Sequence, residues 1–119
     1  MKLNSSIYRD KFELCDQNGE VVKEIPFVVN VTATAQLVTT KQREMTEVDQ
    51  NDPAAMGKAF IELLEAIFGS EVVQELVDYY ASDYMTMVID LAPLLTENIF
   101  PVFNNYRRSA IEARKKVKK

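Results

Sequence analysis

The spacing of apolar residues changes once along the chain, near residue 31, and this change limits the folds available to it. Before that point, Phe12 and Leu14 alternate with polar residues, and a second apolar-rich run occupies residues 21–28. Between the two runs lies Asp-Gln-Asn-Gly, a strong turn signal because Asn and Gly tolerate positive φ. The sequence therefore predicts a β-hairpin over residues 7–28. Pro26 has no N–H to donate, which places the return strand at a sheet edge.

From about Thr32 the apolar residues recur every three or four positions, which is the period of an amphipathic helix. The first helix carries Ala35, Val38, Met45 and Val48 on one face. The polar stretch before Pro53 interrupts this pattern. Asp52 followed by Pro53 is a good N-cap with proline at the first helical position, so a second helix is predicted from Pro53 to Phe68.

Glycine and proline predict the remaining helix ends. Gly69 is expected to end the second helix and Ser70 to cap a long helix that runs to residue 92. Pro93 and Pro101 are each expected to end or kink a helix. A last helix over residues 101–117 then carries apolar residues at alternating spacings of four and three, which is a heptad-like pattern.

These elements predict one α+β domain covering residues 1–119. Its architecture is an N-terminal β-hairpin (7–28) followed by a bundle of about four α-helices (32–117), with a basic tail at 107–119. A chain of 119 residues has room for one domain and one modest core.

The absence of histidine excludes most catalytic and metal sites. Histidine is the commonest general base near neutral pH and the commonest transition-metal ligand, and this sequence has none. Its single cysteine, Cys15, cannot form a cysteine-rich metal site or an internal disulfide and is interpreted as a small residue flanking the hairpin turn. We therefore expect no enzyme activity, no metal and no cofactor.

Three acidic clusters fit structural explanations better than metal binding or catalysis. The oxygen-rich stretches at residues 16–20 and 49–52 lack the spacing of a calcium loop and are interpreted as a hairpin turn and a helix cap. Glu62, Glu65 and Asp78 are spaced as solvated helix faces.

The sequence is also expected to be that of a soluble, cytoplasmic protein without a membrane segment. No run of purely apolar residues approaches the roughly 18 that span a bilayer. The first six residues lack the apolar stretch of a signal peptide.

Charge is distributed very unevenly along the chain. Residues 107–119 contain seven basic side chains against the single Glu112, a net charge of +6, which leaves −10 on the first 106 residues. Such a tail can be a solubilising helix end, can contact nucleic acid, or can contact an acidic protein surface, including that of a neighbouring copy.

Aromatic residues and the basic tail supply the candidate binding residues. Tyr80, Tyr84, Met87 and Val88 fall on the predicted core face of the third helix, whereas Tyr79, Met85 and Tyr106 fall near helix borders. The exposed faces of the helices at 70–92 and 101–117 are expected to mediate self-association or partner binding. The candidate protein-binding residues are Tyr79, Tyr84, Phe103, Tyr106, Arg107, Arg108 and Arg114.

The order of these elements resembles a known family. The hairpin carries Phe12, Leu14, Asp16, Gly19, Val22 and Ile25 in the pattern F-x-L-x-D-x-x-G-x-V-x-x-I, allowing one residue of slippage, and the second helix ends in Ile67-Phe68-Gly69. A long helix, a proline-containing break and a charged terminal helix follow. This arrangement resembles the tail assembly chaperones of long-tailed phages and prophages of Gram-positive bacteria.

The resemblance implies a protein that binds and solubilises the long, helical, hydrophobic tape measure protein before tail-tube subunits polymerise around it. It also implies self-association, here as a homo-oligomer in the host cell cytoplasm, and it implies no catalytic residues. Two alternatives remain open at this point. One is a small regulatory or nucleic-acid-associated protein that uses the basic tail, and the other is a structural tail subunit.

Overall fold

A computed structural model of the chain describes residues 7–106 and residue 108. Its elements in order are the strands β1 (Ile7–Cys15) and β2 (Val21–Asn30) and the helices α1 (Val31–Glu47), α2 (Pro53–Phe68), α3 (Ser70–Tyr79) and α4 (Tyr84–Leu94). A π-helical turn, Leu95–Ile99, continues α4 without a break into helical residues 100–106. We refer to the whole of Tyr84–Tyr106 as the long helix. The predicted α+β class, a hairpin followed by four helices, is confirmed.

The hairpin forms where the turn signal predicted it. The Asp16 carboxylate accepts hydrogen bonds from the backbone N–H groups of Asn18 and Glu20, at 2.9 and 3.1 Å. Gly19 has a φ of 81°, a conformation that glycine adopts without strain. The second strand extends two residues beyond the predicted end, to Asn30. Pro26 pairs with Lys11 in a two-stranded sheet, so it does lie on an edge strand.

One face of the hairpin packs on α2 through aromatic rings. Phe12 and Phe27 lie 4.8 Å apart on the inner face of the hairpin. The Phe68 ring meets both of them edge-on, at 5.1 Å from Phe12 and 4.7 Å from Phe27. An isolated two-stranded hairpin is marginally stable in water. This aromatic cluster therefore stabilises the hairpin against the helical part of the domain.

Helix caps divide the chain largely as predicted. Asp52 caps α2 by accepting a hydrogen bond from the N–H of Ala55, with Pro53 in the first turn. Gly69, at a φ of 90°, ends α2 and is itself the N-cap of α3, so Ser70 is the first residue of that helix and not its cap. Asn30 caps α1 through its side-chain oxygen, and the sequence analysis did not identify this cap.

The prediction of one helix over residues 70–92 is wrong. The chain breaks between α3 and α4 at Ala81 and Ser82, which have φ angles of 51° and 64°. Asp83 then caps α4 by accepting hydrogen bonds from both the N–H and the hydroxyl of Thr86, at 3.1 and 2.7 Å. These bonds to the Asp83 carboxylate are also the main cause that lowers its pKa. The side-chain cap satisfies backbone donors that a continuous helix would use internally.

The long helix does not end at either proline. Pro93 lies inside α4 and Pro101 inside the helical residues that follow, and the π-helical turn lies between them. Within this turn the N–H of Phe100 bonds the carbonyl of Leu95, five residues back. A single π-helical turn accommodates interruptions in an α-helix and is often found at functional sites.

Candidate functional site: the long helix and its two grooves

The long helix contributes a row of buried side chains to the core. These residues recur every four positions: Met87, Leu91, Leu95, Ile99 and Phe103. In a regular α-helix, residues four apart drift by about 40° per step, so such a row would soon turn away from the core. The wider π-helical turn, Leu95–Ile99, reduces that drift and keeps the row facing inward.

This row corrects the prediction that Phe103 is an exposed binding residue. Phe103 is 2% exposed and is one of the largest fully buried side chains. The prediction assumed that the heptad-like row of a separate last helix runs past the end of the core, whereas the continuous long helix holds Phe103 in it. An aspartate at Phe103 would bury a charge, so it could not leave folding intact as a surface substitution would.

The structure describes only some of the other candidate binding residues near the end of the long helix. Tyr106 is half-buried and packs against the core. Arg108 is helical and exposed. Arg107 and Arg114 lie outside the described residues, as does the rest of the basic tail at 109–119.

Tyr79 and Tyr84 flank the break between α3 and α4, and each is about two-fifths exposed. The Tyr79 hydroxyl donates a hydrogen bond of 2.6 Å to the backbone carbonyl of Cys15, which ties α3 to the end of β1. Tyr84 lies against Gly57 in the middle of α2. Both rings therefore hold elements of the domain together and leave one edge in solvent, as Tyr79 was expected to do.

A first groove, the apolar groove, runs along one side of the long helix. It has a cavity volume of about 280 Å³. Its walls are apolar side chains of three helices: Met45, Phe60, Leu63, Val88, Ala92 and Phe100. The polar residues among its described lining, Gln42, Thr46 and Thr96, are all uncharged.

Exposed apolar side chains extend the surface beside this groove. Met85 is three residues before Val88 and four before Ile89, so the three side chains share one side of the helix. Met85 and Ile89 are 48% and 66% exposed. The sequence pattern predicted Met85 near a helix border, whereas Ile89 was not among the predicted binding residues. The signal available was a helix of 23 residues in which Asp90 and Glu97 are the only charges.

A second groove, the acidic groove, lies on the other side of the long helix, between it and the hairpin. Its cavity volume is about 290 Å³, and its floor is apolar, formed by Phe12, Phe27, Leu64, Phe68, Leu76 and Leu91. Asp10 of β1 and Asp90 of α4 line its two walls. Each carboxylate accepts a hydrogen bond from a tyrosine hydroxyl, Tyr8 to Asp10 at 3.1 Å and Tyr80 to Asp90 at 3.0 Å.

Burial and these hydrogen bonds change the acidity of both tyrosines. Burial is the main cause that raises the pKa of Tyr80 well above its ordinary value of 10, and the hydrogen bond to Asp90 raises it further. The pKa of Tyr8 is raised in the same way, by burial first and then by Asp10. The two hydroxyls are therefore hydrogen-bond donors at neutral pH and do not act as bases.

The other polar clusters have structural roles. Asp16 holds the hairpin turn, Asp49 accepts a hydrogen bond from the N–H of Asn51, and Asp52 caps α2. Cys15 is exposed, and its thiol lies 3.9 Å from the carbonyl of Glu13. Across residues 7–106, no group of three or more Cys, Asp or Glu side chains could hold a metal ion.

The long helix differs from expectation in one further property. By length and composition it is apolar enough to cross a membrane, and 28% of its most apolar window is buried. The expectation that the chain has no such segment counted only runs of purely apolar residues. Five of its residues from Met87 to Phe103 are buried in the core, and part of its remaining apolar surface lines the grooves.

No family model, curated protein or solved structure matches this chain.

Proposed function

We propose that this chain is a phage tail assembly chaperone, a non-catalytic protein of the host cytoplasm that binds the tape measure protein and keeps it soluble. The observation that carries the proposal is the apolar groove together with exposed Met85 and Ile89 beside it. Its chemistry suits one class of ligand, the apolar face of an amphipathic helix.

The groove supports this ligand by its size and by its lack of charge. Helices bind such grooves through apolar side chains at positions i, i+3 or i+4, and i+7. A cavity of about 280 Å³ holds only a few such side chains. Uncharged walls allow them to enter without leaving a charge desolvated. Met45 in the groove wall and the exposed Met85 of the long helix have flexible, polarizable side chains that adapt to different sequences.

The exposed surface also indicates that a partner is needed. Burying a side chain such as Ile89 fully is worth about 1.5–3 kcal/mol. In the free chain most of Ile89 remains in water. A contiguous apolar surface of this kind marks a protein–protein interface more often than a feature of an isolated monomer. A long, helical, hydrophobic tape measure protein presents many segments that could cover it in turn.

Co-expression tests the proposal. A histidine-tagged chain is produced together with the tape measure protein encoded at the same locus, and the untagged partner is measured in the eluate. We expect co-purification with the wild-type chain and its loss with Ile89→Asp, which places a charge beside the groove. Leu37→Asp is the matched control, because Leu37 is also an exposed apolar residue in a helix, at 48% exposure, but belongs to α1 and not to the long helix. Equal recovery with Ile89→Asp and the wild type would refute this assignment of the site.

The net charge of +6 on residues 107–119 favours a second candidate function, that of a nucleic-acid-associated regulator. Binding through these residues predicts a DNA affinity that falls steeply as salt rises, because each phosphate contact releases a counterion. An affinity for DNA that depends on the tail, combined with no recovery of the tape measure protein, would favour this alternative.

A further inference from the structure

The acidic groove is not used in the proposed binding of the tape measure protein. It lies on the opposite side of the long helix from the apolar groove, and its chemistry is different. Asp10, Glu13 and Asp90 are among its lining residues, and Lys11 is the one basic residue in that described lining. The Lys11 ammonium pairs with Glu24 at 3.1 Å, so part of its charge is already compensated.

A ligand that fits this groove must combine apolar and basic side chains. The floor contains four phenylalanine and leucine side chains of the hairpin and α2: Phe12, Phe27, Leu64 and Phe68. The lining also includes Asp10 of β1 and Asp90 of α4. Apolar groups would enter the cavity while cationic groups meet the two carboxylates.

The chain contains one segment with this composition. Residues 107–119 carry seven Lys and Arg side chains, with the apolar residues Ala110, Ile111, Ala113 and Val117 between them. Their net charge of +6 complements both the groove and the first 106 residues, which carry −10. We infer that the acidic groove of one copy binds the basic segment 107–119 of a second copy. This inference rests on the self-association included in the proposed function and assigns a site to it.

The direction of the long helix indicates that the basic segment bound in the acidic groove comes from a second copy and not from the same chain. Leu95, Asn98 and Ile99 line the groove, and the helix continues for seven residues beyond Ile99, which is about 10 Å. Arg108 is still helical. The segment of the same copy thus begins beyond the groove, which favours binding by the segment of a second copy.

A contact between two different surfaces also determines the kind of assembly. Each copy offers one groove and one basic segment, so the contact is head-to-tail and produces rings or open chains instead of closed two-fold dimers. Charge attraction between exposed groups is screened over about 8 Å at physiological salt and over shorter distances at higher salt. We therefore expect a mass distribution that falls with dilution and with added salt.

A charge-swap experiment on the full-length chain tests the inference by light scattering at low ionic strength. The groove variant carries Asp10→Lys and Asp90→Lys, and the tail variant carries Arg114→Glu, Lys115→Glu and Lys116→Glu. Each variant alone is expected to shift to the mass of a monomer, with the helical circular dichroism of the wild type. Mixing the two restores association, because the groove variant keeps the basic segment and the tail variant keeps the acidic groove, and these two unchanged surfaces bind each other. Glu97→Lys, on the long helix but outside the groove lining, is the control and leaves the wild-type mass unchanged.

Three results would overturn the inference. The first is a tail variant that keeps the wild-type mass. The second is a mixture that stays monomeric, which is the result for a segment bound within its own chain. The third is a wild-type mass that collapses after nuclease treatment, which is the result for assembly on nucleic acid. Should the groove variant unfold, Asp10→Lys alone replaces it in the same mixing experiment.

The tests of the two grooves are separable. The tail variant retains the apolar groove and is expected to recover the tape measure protein, whereas Ile89→Asp is expected to lose that protein and keep its oligomers. Failure of the charge swap alone removes the head-to-tail contact and leaves the chaperone proposal intact.

Discussion

Gly57 of α2 lies directly against Tyr84 of α4. A Cβ atom at position 57 would be 3.0 Å from the Cβ of Tyr84 and 3.4 Å from its ring carbon Cδ2. Contacts this short are rare, so glycine at this position lets the two helices approach closely. The long helix, and with it one wall of each groove, is positioned by this contact.

The Gly57→Ala substitution is therefore expected to destabilise the domain. Alanine in a helix interior is favoured over glycine by about 0.5–1 kcal/mol, but overpacking typically costs about 1–3 kcal/mol. We expect a net loss of about 1 kcal/mol, because the neighbouring atom is a Cβ near the backbone and cannot rotate away. Urea denaturation measures the change. Lys58→Ala, at the next and exposed position of α2, is the control and should stay within about 0.5 kcal/mol of the wild type. A Gly57→Ala variant as stable as that control would contradict the close packing.

Phe103 and Ile89 lie on the same helix, but replacing each with alanine should change the free energy of unfolding by very different amounts. Phe103→Ala removes a buried ring and is expected to reduce the free energy of unfolding by about 3–5 kcal/mol. Ile89→Ala changes an exposed side chain and is expected to alter it by less than about 1 kcal/mol. Thermal and urea unfolding of both variants decide the point, and a stable Phe103→Ala protein would mean that this ring is not in the core.

Replacing Ala81 with glycine is expected to stabilise the domain. Its φ of 51° is a left-handed conformation that costs a residue with a Cβ about 1–2 kcal/mol. Ala81→Gly removes that cost, while the greater freedom of glycine in the unfolded chain offsets about 0.4–1 kcal/mol of the gain. We expect a small increase in melting temperature. The control Ala33→Gly, at an exposed position in α1, should lower the melting temperature, and the same loss at Ala81 would argue against the left-handed break.

Tyr80 is expected to make the domain sensitive to alkaline pH. Burial, with the hydrogen bond to Asp90, raises its pKa in the folded chain above the value of 10 in the unfolded chain. The folded state therefore holds its proton more tightly, so this stabilisation is complete below pH 10 and is lost as pH rises further. Urea midpoints measured from pH 8 to pH 11 should fall less steeply for Tyr80→Phe than for the wild type. Tyr106→Phe serves as the control, and identical slopes for all three proteins would count against the hydrogen bond.

Local signals were sufficient to predict the fold class. The turn at residues 16–19 and the Asp52-Pro53 cap act over a few neighbouring residues, and both were identified correctly. The alternation that ends in Phe12 and Leu14 also gave the correct buried face of β1. In each case the physical cause lies within the segment itself.

Features that depend on distant residues could not be predicted. The break between α3 and α4 was missed for a different reason: the apolar periodicity continues across Ala81 and Ser82, and the local cap signal of Asp83 was not weighed against it. The prolines at 93 and 101 were expected to end or kink a helix, whereas a π-helical turn lies between them and the helix continues with Phe103 in the core. A glycine is needed at position 57 only because Tyr84, which is 27 residues away in sequence, packs against it.

The two grooves illustrate the same difference. Asp10 and Asp90 are 80 residues apart in sequence, and only the packing of the hairpin beside the long helix brings them to one cavity. Of the candidate binding residues, Tyr79, Tyr84 and Arg108 are exposed, and Tyr106 is half-buried. The apolar composition of the long helix was visible in the sequence, but which of its sides faces solvent was not.

The most direct measurement of the central claim is the soluble fraction of the tape measure protein, expressed in the cell with and without this chain. We expect the tape measure protein to be mostly insoluble alone, soluble with the wild-type chain or with Leu37→Asp, and insoluble again with Ile89→Asp. Circular dichroism of the purified Ile89→Asp chain should match the wild type. A tape measure protein whose solubility is the same with the wild-type chain, with Ile89→Asp and without any chain would contradict the account.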